Sequence, residues 1–183
     1  MARIARSLTV SDGVSGGTAR RVGGVAYRAV AASTAITGTT ETEANFSEKY
    51  TIPAFSLAGG SVIRVRAQGI HTATTGAETH DILLKLGSTT VASKLTIDPA
   101  DNDIFYLEAI IQIRTSGSSG TFVAAGTIAT GATGSAAPAA FFKASTAVDT
   151  TAALDVAIAI DRQAAATDAD SARLDLFVVE VIG

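Results

Sequence analysis

The chain has 183 residues, a formal net charge of −3 and no cysteine. A unit of about 150 residues buries roughly 70% of the surface its unfolded chain exposes. A core alone can therefore hold it, and the missing cysteines exclude both a disulfide framework and thiol chemistry. Hydrophobic residues make up 47% and charged residues only 17%, a balance that fits a surface covered by partners as well as a β-domain with short polar side chains.

Taken in chain order, the first segment is distinct in charge. Residues 1–28 hold five arginines, Arg3, Arg6, Arg20, Arg21 and Arg28, against one acid, Asp12, whereas the rest of the chain is acidic. The glycines of "SDGVSGGTARRVGG" break helix and strand alike. Residues 1–34 therefore read as an extended N-terminal arm with small apolar contacts at Val22, Val25, Tyr27 and Val30. A basic arm on an acidic body is expected to dock on an acidic surface. With one aromatic and no dense Lys/Arg block, it does not read as a nucleic-acid ligand. The opening residues lack the apolar core of a signal peptide, and no run of about 18 apolar residues predicts a membrane helix.

From Ala35 onward the hydrophobic period is two, which makes 35–183 one β-domain. "NFSEKYTIP" predicts a strand stopped by Pro53. After the Gly59-Gly60 turn, Ile63, Val65 and Ala67 face one way and Arg64 and Arg66 the other. "HDILLKLG" and "TVASKLTI" flank a short hairpin signal. In "DIFYLEAIIQIRT", Phe105, Leu107, Ala109, Ile111 and Ile113 share one face, with Ile110 among the polar residues of the other. Gly117 and Gly120 suit a tight connection to "TFVAAGTIAT". Residues 131–151 look irregular, with the pair Phe141-Phe142 either capping a core end or forming a contact patch. "ALDVAIAID" and "RLDLFVVEVIG" complete eight strands of appreciable length. Eight strands without a convincing helix point to a two-sheet sandwich or a barrel. Phe105, Leu107, Ile111, Ile113, Leu154, Val156 and Leu176 are the expected core.

Few residues suggest chemistry. His71 and His80 flank "TATTGAET", with Glu78 and Asp81 beside them. If the flanking strands pair, the imidazoles approach each other, and two histidines and a carboxylate can ligate zinc. No third ligand has a fixed offset, so two surface histidines at a hairpin base are expected and no metal. Asp98, Asp101 and Asp103, like Asp168 and Asp170, read as solvated turns because the glycine and terminal glutamate of a calcium loop are missing. There is no nucleophile elbow, Walker loop or dinucleotide fingerprint, and no paired carboxylates on one strand face for glycan hydrolysis. The sequon "NFS" at 45–47 has no secretion signal to give it meaning. The chain is thus expected to be no enzyme and to need no cofactor.

Three stretches resemble a known group: "TIPAFSLAGGSVIRVRAQGIHTATTGAETHDILLKLGSTTVAS", "FYLEAIIQIRTSGSSGTFVAAGTI" and "VDTTAALDVAIAIDRQAAATDADSARLDLFVVEVI". They look like jelly-roll proteins encoded among the structural genes of tailed bacteriophages. The resemblance leaves the arm uncovered. It implies an eight-stranded antiparallel jelly-roll β-sandwich, usually a homotrimer, and one of three virion roles: capsid decoration (cement) protein, head fibre or receptor-binding tip. Decoration is favoured, because tryptophan is absent and only three tyrosines occur, leaving few platforms for stacking on sugars. The expected partners are then further copies of the chain and the major capsid protein, on the capsid surface of a virion assembled from parts made in the bacterial cytoplasm, with no nucleic acid and no membrane. The five arginines of the arm would contact the capsid. The alternative is a receptor-binding or head-fibre tip that recognises a host surface glycan through the loops 71–80 and 162–171.

Overall fold

The structure, a computed structural model, describes residues 24–38, 42–73, 79–97, 102–131, 137–162 and 170–183. Among them are eleven strands and no helix: β1 (Val25–Arg28), β2 (Ile36–Thr37), β3 (Ala44–Ile52), β4 (Val62–Thr72), β5 (His80–Leu86), β6 (Thr89–Ile97), β7 (Asp103–Thr115), β8 (Gly120–Gly131), β9 (Ala137–Val148), β10 (Leu154–Arg162) and β11 (Ser171–Ile182). The two-residue alternation drives this. In β4, Ile63, Val65 and Ala67 are fully buried while Arg64 and Arg66 face water, so one face of the strand has somewhere to go and the other does not need it.

All strand pairs are antiparallel. One sheet runs β1-β11-β4-β7-β8-β9, with β2 also on β11, and the other runs β3-β10-β5-β6. Set aside the two-residue β2 with β8 and β9, and two four-stranded sheets remain, β1-β11-β4-β7 and β3-β10-β5-β6. The chain crosses between them at every step except the β5–β6 hairpin. That is the jelly-roll path; the β8–β9 hairpin widens one of its sheets.

The expected all-β antiparallel jelly roll is therefore present, with two differences in detail. Residues 131–151, read as irregular, contain the twelve-residue strand β9. Its runs of alanine give no contrast between faces, and Phe141-Phe142 puts one ring on each. Phe141 packs on the core, and Phe142 is 85% exposed. The roll also begins earlier than residue 35. β1 lies against β11, and Ala29 N–H and Ser33 N–H donate to Phe177 O and Leu174 O, each at 2.8 Å. Tyr27 packs on Tyr50 of β3 and Phe177 of β11, and its hydroxyl donates to the Glu48 carboxylate. One side chain thereby ties the edges of both sheets. Val25 and Val30, expected to make apolar contacts, are exposed; Val22 lies outside the described residues.

Six of the seven expected core residues are buried. Leu176 is the exception, at 40% exposure. The β11–β4 register steps from Leu174↔Gly69 to Leu176↔Gln68, so Asp175 is an extra residue in a β-bulge. A bulge reverses the parity beyond it. Leu174 and Phe177 both point inward, and Leu176 is turned out.

Two glycines let rings lie across their strands. Phe105, opposite Gly69 in the β4–β7 register, is fully buried and stacks on Phe46 at 6.0 Å. A Cβ on Gly69 would overlap the Arg173 carbonyl oxygen and lie 2.6 Å from Phe105 Cε1. Phe141 covers Gly126 of β8 in the same way, 2.8 Å from where a Cβ would sit. An aromatic ring laid over a cross-strand glycine restores the burial that the missing side chain loses.

Candidate functional site

Two places in the roll stand out chemically: the outer face of the wider sheet, and a buried polar cluster at one end.

On the outer face, register aligns Glu180, Arg64, Ile110, Ala125 and Phe142 in one row across β11, β4, β7, β8 and β9. The adjacent row is Val178, Arg66, Glu108, Thr127 and Ala140. The charges sit on one half and neutralise each other. Arg66 Nε lies 2.6 Å from Glu108 Oε1, and Arg64 Nη1 lies 3.9 Å from Glu180 Oε2. Such exposed pairs add little stability, but they leave the half without excess charge. The other half is an apolar strip, with Ile110 52% exposed and Phe142 85% exposed on either side of Ala125. A shallow depression of about 390 Å³ lies between the halves, lined by Arg64, Arg66, Glu108, Ile110, Ala125 and Gly126. Arginine side chains next to an apolar strip that carries an exposed aromatic ring are the composition enriched at protein interfaces.

The second place is where the inward-facing rows of five strands end in polar residues. His71 continues the row Ile63, Val65, Ala67 of β4. His80 precedes Ile82 and Leu84 in β5, Asp103 precedes Phe105 in β7, and Arg162 follows Ile158 and Ile160 in β10. Asp170 precedes Ala172 of β11. His71, His80 and Asp170 are fully buried, Arg162 is 2% exposed and Asp103 8%. The expected surface histidines and solvated aspartates are thus corrected: strand parity carries His71, His80, Asp103 and Asp170 into the interior. Asp98, Asp101 and Asp168 lie outside the described residues.

The histidine strands do not pair. β4 and β5 belong to different sheets, and the imidazoles meet across the interior with Nδ1 atoms 3.3 Å apart. His71 also stands edge-on to Phe105 at 5.6 Å, and its Nε2 has no hydrogen-bond partner among the described residues. Arg162 Nη1 donates to Asp170 O at 3.4 Å and Nη2 to Thr37 O at 3.2 Å. Burial disfavours the charged form of both rings. It pushes His71 down to about 4, helped by the neighbouring His80 and opposed by Asp103. It also pushes His80 down to about 4, helped by Arg162 and opposed by Asp170. Both rings are neutral at pH 7 and sealed from solvent. Two ring nitrogens converge here, yet among the described residues no three histidine, cysteine or acidic side chains form a metal-ligand set.

Of the arginines expected to touch a partner, Arg28 ends β1 on the exposed side, opposite Val178. Arg3, Arg6, Arg20 and Arg21 lie outside the described residues, as do 74–78 and 163–169 of the loops weighed for glycan recognition. The outer-face strip was only half visible beforehand: Ile110 broke the polar face of its strand, but Phe142 could not be placed until β9 was.

No family model matches the chain, and no curated protein does. Among solved structures it is similar to the winged bean acidic lectin, in a complex with methyl-α-D-galactose. The identity is 7%, the match covers 87% of this chain and 98% of the lectin, and the TM-score is 0.35. So loose an overlap bears on neither ligand nor role.

Proposed function

We propose that this chain is a non-enzymatic structural protein of a tailed-phage virion. It decorates the outer surface of the head as a homotrimer and clamps neighbouring major capsid subunits. The resemblance of its strand motifs to phage virion jelly rolls supports this reading. The observation that carries it is the unpartnered strip Ile110–Ala125–Phe142 on a sheet whose neighbouring charges are already paired. A charge-neutral apolar face lets like-charged copies associate. A contact between this strip and a different surface of the next copy closes a ring.

The two contacts leave the roll at different places. β1, through which residues 1–23 join the body, and β9, which carries Phe142, are the opposite edges of the sheet. Five strand spacings separate them, about 24 Å. One copy therefore presents its strip to a neighbour and its arm, with Arg3, Arg6, Arg20 and Arg21, together with Arg28 of β1, to an acidic capsid surface. A protein that binds only the assembled shell stabilises it by RT ln(1 + [L]/Kd) per site, about 2.7 kcal/mol at a hundredfold excess over Kd. Many weak arm contacts add avidity.

Cryo-electron microscopy of the virion tests the role. Hundreds of copies on the head, seated over capsid subunit boundaries, are expected. A few copies at the tail end would overturn decoration in favour of a receptor-binding tip.

A further inference from the structure

We propose that the His71–His80 pair is an acid-operated latch. It holds one end of the sandwich closed while both imidazoles are neutral, and it releases that end when the pair takes up two protons. The latch is independent of the role proposed above.

The geometry sets the proton count. With Nδ1 atoms 3.3 Å apart, one ring must donate and the other accept. A first added proton goes to a remote Nε2, and the Nδ1–H···Nδ1 bond survives it. A second proton puts hydrogen on both facing nitrogens, and the bond becomes a contact between two cationic donors. The charged groups facing the pair reinforce this limit. Asp103 from β7 acts on His71, and Asp170, before β11, and Arg162 from β10 act on His80. Among the described residues, one guanidinium and two carboxylates balance a single extra proton. Two leave a net positive charge sealed inside. His71 Nε2 has no hydrogen-bond acceptor among the described residues, so only the longer-range field of Asp103 offsets a proton placed there.

The same residues determine what comes loose. His71 belongs to one sheet and His80 to the other, so their contact spans the interior. Arg162 fastens β2 through Thr37 O and the start of β11 through Asp170 O. Repulsion within the pair pushes the sheets apart where those two bonds are made. The opposite end, where Gly117 N–H donates to Thr150 Oγ1 and Thr150 N–H to Gly117 O, holds no imidazole. The chain has only two histidines, so proton uptake by imidazole at neutral to mildly acid pH belongs to this pair alone.

Hydrogen exchange followed by mass spectrometry on the full chain, from pH 7.5 to 4.5 and corrected for intrinsic exchange, tests the latch. Residues 68–72, 80–83, 103–106, 159–162 and 171–174 should lose protection steeply with acid. Below about pH 6.5, where opened imidazoles protonate, their opening constant should rise by about a hundredfold per pH unit, as uptake of two protons requires. Residues 111–121 and 148–156 should stay protected. His80→Gln should reduce the dependence to about tenfold per unit, and His71→Gln with His80→Gln should abolish it. Flat exchange in the wild type, equal opening at both ends, or an unchanged slope in the double variant would overturn the latch. Should the double variant not fold, nitrogen-15 NMR of the two histidines in the wild type decides. Rings still neutral at pH 5.5 support it; rings titrating near 6.5 with protection intact refute it.

Discussion

Gly69→Ala tests whether the close approach of Phe105 to β4 limits the stability of the roll. The new methyl would overlap the Arg173 carbonyl oxygen and meet the Phe105 ring. Neither can yield cheaply. The carbonyl belongs to β11, which is paired with β4 along its length, and Phe105 is held between Phe46 at 6.0 Å and His71 at 5.6 Å. Overpacking of this kind costs about 1–3 kcal/mol. Alanine returns about 0.4–1 kcal/mol by restricting the unfolded chain, so a net loss of about 1–2 kcal/mol is expected. With a urea slope of about 2 kcal/mol/M, the midpoint should fall by about 0.5–1 M. Gly24→Ala, with nothing within 4 Å of the new Cβ, is the control and should stay within about 0.5 kcal/mol. Phe105→Leu in the Gly69→Ala background should recover part of the loss, a coupling of about 0.5–3 kcal/mol for residues in contact. A Gly69→Ala midpoint equal to the wild type, or strict additivity with Phe105→Leu, would refute the reasoning.

Leu107→Ala, at a fully buried site, should cost about 2–5 kcal/mol in a thermal or urea melt. Across the bulge, Leu174→Ala should be costly on the same scale while Leu176→Ala stays below about 1 kcal/mol; the reverse order would place the bulge wrongly. Phe142→Ser should leave the midpoint within about 0.5 kcal/mol, yet reduce the mass seen by light scattering from trimer to monomer. Global stability should also fall in acid. The unfolded chain protonates each imidazole near 6.5 and the folded chain near 4, so the unfolded state binds more protons in between. Stability is then complete above about pH 6.5 and declines as pH falls towards 4, by about 3 kcal/mol for each histidine. Urea midpoints measured from pH 7.5 to 4 check this, and the His71→Gln, His80→Gln double variant should lose most of the slope.

Where the sequence was informative, strand parity was the reason. Phe105, Leu107, Ile111 and Ile113 follow directly from two-residue alternation, and so does the burial of His71, which continues the inward row of Ile63, Val65 and Ala67. Reading those histidines as surface residues set residue type above phase. Their charge-bearing chemistry suggested water, but the strand had already fixed their direction. Leu176 failed for the opposite reason: its phase was read across a bulge at Asp175 that no local residue type announces. β9 was illegible because alanine and threonine do not distinguish a buried face from an exposed one. Strand order rests on contacts between residues far apart in the chain, and periodicity holds no information about those. The outer-face row needed that order before Arg64, Ile110 and Phe142 could be seen as neighbours.

The β8–β9 hairpin lies outside the eight strands that close the roll. β8 gives Phe122, Ala124 and Ile128 to the core, and β9, which adds Phe141 and Val148 on its inner side, pairs among the described strands only with β8 and turns Phe142 outward. Its outward positions are therefore free to diverge without disturbing the fold. Lineages that retain the roll while meeting different surfaces would concentrate their change there, on Pro138, Ala140 and Phe142, and hold Gly126 and Phe141 constant. The hairpin is the part of this domain on which selection for a new partner would act first.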